Sequence, residues 1–216
     1  MHSFHRLLAA VPLACLAACG GGSGDGGTTT PPSPGPASAV AVTLPAASLA
    51  MGDSAQATAV VRDAAGRTVS APVTWASSAS NIVSVNATTG MLRGLALGSA
   101  QITASVASGS APTASAPVTI KAPATATVSM FPQAYSPVSL ILAVGGVVTF
   151  DFPPGIDHNV IFAKKTGTTQ PLVPGSPADI LQTRNVKVTR TFSTAGTFPY
   201  DCTIHPGMSG EIIVVP

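Results

Sequence analysis

From residue 39 onward the chain is built of short runs in which apolar and polar residues alternate. "AVAVTL", "SAQATAVVRD", "PVTWAS", "IVSVNATTGMLRGLALGSAQITASV" and "APVTI" form a first series over residues 39–121. "TVSMF", "SLILAVGGVVTFDF", "HNVIFAK", "VKVTRTFSTAGTFPYDC" and "GEIIVV" form a second from Thr127 to the end. A period of two puts successive side chains on opposite faces of a strand, so each run predicts a half-buried strand. "DAAGR" and "ATTGM" read as hairpin turns with glycine at the bend. Gly145-Gly146 and Ala195-Gly196 break the second series in the same way. "QPLVPGSPADI", residues 170–180, reads as a Pro-rich loop or the start of a short helix. No stretch carries a sustained helical period. The expectation is an all-β protein of two β-sandwich domains, 39–121 and 127–216, with a short joint, "APATA", at 122–126.

The first 38 residues follow a different pattern. A short polar start with Arg6 precedes an apolar run from Leu7 to Ala18. That run is too short to span a bilayer, which takes about 20 residues, and it fits a secretory leader over residues 1–18. Leu16-Ala17-Ala18 before Cys19 resembles the bacterial lipoprotein box, which implies cleavage and lipidation at Cys19. Cys15 fits the box less well, because Pro12 stands where an aliphatic residue belongs. Gly20 rather than Asp follows Cys19, so the usual inner-membrane retention signal is missing. The expected location is the bacterial envelope, with a lipid anchor in the membrane, an outer-membrane one in a Gram-negative cell. Residues 19–38, rich in Gly, Ser and Pro, read as a tether with no means of forming a core.

Composition narrows the function classes. Charged residues are 8% of the 216, and the net charge is +2. Lys164-Lys165 is the sole basic cluster, which sets nucleic acid aside as a partner. The stretch "VTWASSASNIVSVNATTGMLRGLALGSAQITAS" resembles the bacterial Ig-like domain of group 2, with Trp75 as core tryptophan. That resemblance implies a sandwich serving as spacer or binding module, and spacer is the preferred reading. Asp53 and Asp63 read as loop residues there.

The chemistry concentrates near the C-terminus, in "YDCTIHPGM". If Cys15 leaves with the leader and Cys19 carries lipid, Cys202 is the one thiol left, and no disulfide within the chain can form. The same subtraction removes His2 and His5 and leaves His158 and His205. A regular strand would aim Cys202 and His205 at opposite faces. Pro206-Gly207 forces a turn, and a bend of this length can aim Cys202, His205 and Met208 at one centre. His158, after "FPPGID", supplies the fourth donor. Two imidazoles and a thiolate with a weak axial thioether make the donor set of a blue-copper site. Zinc would take Cys and His but rarely Met. Each residue alone reads as core filler or loop, but the four together outweigh that.

"HNVIF" followed by "TFSTAGTFPYDCTIHPGMSGEIIVV" resembles the cupredoxin family, in its plastocyanin, amicyanin and pseudoazurin branch. The resemblance covers about residues 127–216 and implies a Greek-key β-sandwich with one type 1 copper held by His158, Cys202, His205 and Met208. The short gap between His205 and Met208 is the amicyanin-like spacing. Asn159 is expected to tie the two ligand loops together, its backbone N–H reaching the Cys202 sulfur, with Thr203 doing similar work. Phe150, Phe152, Phe162 and Phe198 are expected in the core, Tyr200 in a structural role, and Pro199 at an edge or bulge. In the family the exposed edge of the residue matching His205 passes the electron. The expectation is a monomeric one-electron carrier that meets a transient redox partner and is not an enzyme, since a catalytic copper needs further histidines. A copper-holding or delivery protein, and a surface adhesion module with a structural metal, are the alternatives.

Overall fold

A computed structural model describes residues 33–107 and 112–216. The expected leader, Cys19 and most of the expected tether lie outside them. The described chain contains strands, turns and bends, and no helix long and apolar enough to cross a membrane. It is all-β, in two sandwiches, each with its own core.

The N-terminal sandwich holds β1 (Ala37–Thr43), β2 (Ser48–Ala50), β3 (Ser54–Gln56), β4 (Thr58–Asp63), β5 (Val73–Ser77), β6 (Val83–Val85), β7 (Met91–Gly94), β8 (Gly98–Val106) and β9 (Thr113–Lys121). They pair as β1-β4, β2-β9-β8-β5 and β3-β7-β6. Trp75 sits in a core with Val83, Leu92, Ile102, Val118 and Ile120. Gly90, at φ 73° in the "ATTG" turn, comes so close to the indole that a Cβ would lie 2.8 Å from it. The chain is ordered against this sandwich earlier than the tether reading implied, because β1 begins at Ala37 and the Gly35 N–H bonds to Asp63 (2.9 Å).

Asp63 is not the plain loop residue that its place in the sequence suggests. It ends β4 and is buried. Its carboxylate accepts the N–H groups of Gly35, Ala65 and Arg67 and the Arg67 guanidinium. The Gly35 N–H, then the Arg67 amide and guanidinium, hold its pKa down from 3.8 to about 2. Donors aimed at the charged form are what allow a carboxylate to stay ionised while buried.

The C-terminal sandwich holds β10 (Thr125–Phe131), β11 (Ala134–Ser136), β12 (Ser139–Ala143), β13 (Gly146–Phe152), β14 (His158–Phe162), β15 (Ile180–Thr183), β16 (Val186–Phe192), β17 (Gly196–Asp201) and β18 (Ser209–Val215). One sheet runs β11-β10-β13-β16 and the other β12-β18-β17-β14-β15. β10 pairs parallel with β13, and β12 parallel with β18. The strict in-out alternation of β13, with Val148, Phe150 and Phe152 buried, is the period-two pattern realised. Edge-to-face ring contacts link Phe150, Phe162, Phe192, Phe198, Tyr135 and Tyr200. Such pairs add about 0.5–1.5 kcal/mol each beyond burial. Residues 163–179 form a loop without a helix.

Pro199 departs from expectation. It lies in β17, between β18 and β14, not at an edge. Its carbonyl accepts the Ala163 N–H, so its nitrogen also faces β14. β14 ends at Phe162, so the missing N–H falls where the neighbouring strand is leaving, and the β18 ladder is intact.

Candidate metal centre

The site grows from one pole of the C-terminal sandwich. β13 ends at Phe152, and Pro153-Pro154-Gly155 turns the chain, with Gly155 at φ 87°. His158 then opens β14, fully buried. Asp157, just before it, is held by Gln182 (2.8 Å) and Arg184 (3.5 Å), which anchors the turn from outside.

On the neighbouring strand β17 ends at Asp201 and β18 begins at Ser209. The Cys202 N–H bonds to the Met208 carbonyl (2.9 Å), and the Met208 N–H to that of His205 (3.2 Å). The second bond closes a turn with Pro206 at its second position and Gly207 at its third, φ 84°. Those are the residues a type II turn demands. The loop is therefore locked by its own backbone.

The β13–β14 connection, which crosses between the two sheets, and the β17–β18 hairpin loop thus meet. Cys202 Sγ lies 3.9 Å from His158 Nδ1 and 3.6 Å from His205 Nδ1. The ligand atoms of these three residues lie within 4.8 Å of one another. A first-row metal bonded to imidazole at about 2.0–2.1 Å and to thiolate at about 2.3 Å holds those atoms about 3.8 Å apart at a trigonal angle. The two observed distances straddle that value. Met208 is buried in the same core as Cys202. The set offers a soft thiolate and a thioether with two imidazoles, which suits copper.

Burial biases the protonation states toward ligation. Desolvation, then the neighbouring His205, pulls the His158 pKa below 6.5 and keeps its imidazole neutral. A ligating ring nitrogen must be unprotonated. The Nε2 of His158 is buried without a hydrogen-bond partner among the described residues, and Nδ1 is the nitrogen that lies 3.9 Å from the Cys202 sulfur. His205 is half-buried, on the outer side of the loop.

Asn159 and Thr203 join the two loops through side chain and backbone. Asn159 Nδ2 donates to Thr203 Oγ1 (2.7 Å), and the Thr203 N–H donates to Asn159 Oδ1 (2.9 Å). The Asn159 side chain, and not its backbone N–H, is what ties the cysteine loop: that N–H makes no hydrogen bond to the Cys202 sulfur among the described residues. One supporting residue was missed in the sequence. Tyr135, on β11, donates its buried hydroxyl to the Asn159 carbonyl (2.6 Å). Burial, then the charge of Cys202, pushes its phenol far above the usual range, so it stays a donor. A tyrosine remote in sequence and flanked by turn residues gave no signal of that contact.

Comparison with known proteins divides along the same line. Residues 36–118 match the bacterial Ig-like domain (group 2). Among curated proteins none matches the sequence. The solved structures that resemble the chain include a reduced Cu(I) form of an amicyanin mutant, 27% identical, covering 44% of this chain and 86% of that one, TM-score 0.36. Amicyanin from Paracoccus versutus is 24% identical over 42% of this chain and 81% of that one, TM-score 0.35. A purple cupredoxin from Nitrosopumilus maritimus is 21% identical over 42% and 99%, TM-score 0.34.

Proposed function

We propose that this protein is a type 1 copper protein that carries single electrons and is held to the bacterial envelope by lipid at Cys19. The observation that carries the reading is the convergence of His158, Cys202 and His205, with donor atoms within 4.8 Å, beside buried Met208. Copper bound there would supply a one-electron couple. The residues do the rest. The turn at Pro206-Gly207, the Asn159–Thr203 pair and the Tyr135 hydroxyl fix the donors from the protein side. A frame that dictates donor positions limits their movement when charge changes, and small reorganisation favours fast transfer. His158 is closed off inside, while His205 is the ligand nearest solvent and the natural edge for a transient partner. With two histidines beyond the leader, the chain has donors for one such centre and none for a separate catalytic copper. The lipid anchor rests on the sequence around Cys19.

The test is Cu(II) titration of the full chain, followed by visible absorption, with Cys202→Ser as control. An intense thiolate-to-copper band at one equivalent, absent from the control, is the expected result. A colourless complex, or preference for zinc over copper, overturns it. Self-exchange measured by NMR line broadening then separates a carrier from a protein that only stores copper.

A further inference from the structure

The path of the chain through each sandwich has a direction. In the N-terminal one, Ala37 pairs with Asp63 at the start of β1, and Thr43 with Thr58 at its end. β2 continues the same way, parallel to the last residues of β9, Ser48 with Thr119 and Ala50 with Lys121. The β4–β5 turn beyond Asp63 and the Val73–Val106 pair lie at the entry pole, while Gly98 pairs with Ile120 at the exit. The chain therefore enters at one pole and leaves at the opposite one.

The C-terminal sandwich repeats the logic. Thr125 pairs with Val147, and Gly146 with Phe192, at the pole where the chain enters. Gly196 pairs with Val214 at that same pole, whereas Asp201 pairs with Ser209 at the other. The four candidate ligands all belong to the far pole, beyond Phe152 and Asp201.

The joint between the two has little freedom. The Lys121 carbonyl accepts the Met51 N–H, and the carbonyls of Pro123 and Ala124 accept those of Ala143 and Val147, each at 2.9 Å. Only Ala122 is left without such an anchor. A proline fixes its own φ near −65°, and a residue that precedes one is driven out of the helical region into extended backbone. Ala122 and Pro123 impose both restrictions. Partly exposed apolar residues mark the two ends served by the joint, Leu95 and Leu97 on the first sandwich and Val144 on the second.

We propose that the N-terminal sandwich is a stiff spacer, coupled through a proline-locked one-residue joint, that presents the metal pole at the far end of the chain path from Ala37. The inference is independent of which metal the pole takes. Its consequence is directional: a partner reaches His205 from the side away from the chain's entry.

Distance measurement tests this without any metal. The full chain, with Cys15, Cys19 and Cys202 replaced by Ser, receives nitroxides at Ala39→Cys and Val186→Cys, both exposed positions. A nine-residue strand such as β9 spans about 30 Å and a seven-residue one such as β13 about 23 Å. Pulsed dipolar EPR should give a single narrow distribution at about 50–60 Å. A Gly-Gly-Ser-Gly insertion between Ala122 and Pro123 should broaden it and extend it to shorter distances. A parent distribution centred below about 40 Å, or one already as broad as the insertion variant's, overturns the proposal. Circular dichroism of both variants confirms that each is folded.

Discussion

Replacing Asn159 by Ala separates a loop tie from a passive neighbour of His158. The substitution removes two hydrogen bonds to Thr203, at 2.7 and 2.9 Å, from a residue that is 7% exposed. A hydrogen bond contributes about 1 ± 0.5 kcal/mol net, and a buried group left unsatisfied costs more. Thr203 is exposed and can turn to water, so the loss is about 2 kcal/mol, with little added for stranded partners. For a domain of this size that lowers the midpoint of thermal unfolding by about 8–16 °C. Copper affinity should fall by about 10–100-fold, the usual effect of losing a group that orients a ligand. Calorimetry of the metal-free protein reads the first quantity, and competition with a chromogenic chelator the second. Thr203→Val keeps the backbone bond to Oδ1 and removes only the hydroxyl acceptor, so it should give about half the destabilisation. If Asn159→Ala leaves both midpoint and affinity within error of the parent, the two loops are held by backbone alone and the reasoning fails.

Tyr200 carries a buried hydroxyl with no partner among the described residues, so Tyr200→Phe should be neutral or stabilising by up to about 1–2 kcal/mol; a clear loss of stability in calorimetry would reveal a partner. Gly90→Ala places a methyl 2.8 Å from the Trp75 ring at φ 73°. It should cost about 2–4 kcal/mol, read from the fluorescence of the one tryptophan, with the visible band of the copper-loaded protein unchanged. Asp63 has a folded pKa of about 2 against an ordinary 3.8. Its contribution is whole above pH 3.8 and fades as pH falls through about 2, so acid unfolding followed at Trp75 should move to higher pH in Asp63→Asn. His158 is held below 6.5 mainly by burial. The metal-free C-terminal sandwich should therefore lose stability as pH falls below 6.5, and His158→Gln should flatten that dependence in urea titrations.

The strands were legible because each sandwich is solvated on its outer faces, and a sheet buried on one face writes its register into alternating residue types. β13 is the clearest instance, with Val148, Phe150 and Phe152 inward and Val147, Thr149 and Asp151 outward. The convergence of His158, Cys202 and His205 was legible for another reason. Cys, His and Met carry chemistry that no packing argument requires of all three within one short turn, and Pro206-Gly207 announces the bend that brings Cys202 and His205 together.

What stayed hidden depends on contacts between residues distant in sequence. Asp63 looks like a turn aspartate until Gly35, 28 residues earlier, donates to it. Tyr135 looks like core filler until its hydroxyl finds the Asn159 carbonyl, 24 residues later. Pro199 is the most instructive, because the rule that keeps proline to edges is a rule about N–H groups and not about strand order. A central strand tolerates it where the neighbour on the nitrogen's side has ended, and the length of β14 is fixed by the loop after Phe162 rather than by anything near Pro199. The same break in pairing leaves Pro199 bonded through its carbonyl to Ala163 and leaves β18 to hold β17 along its whole length. Cys202 thus leaves a strand registered on one side by six residue pairs, which is how a sequence with so few polar anchors places a sulfur within reach of two imidazoles.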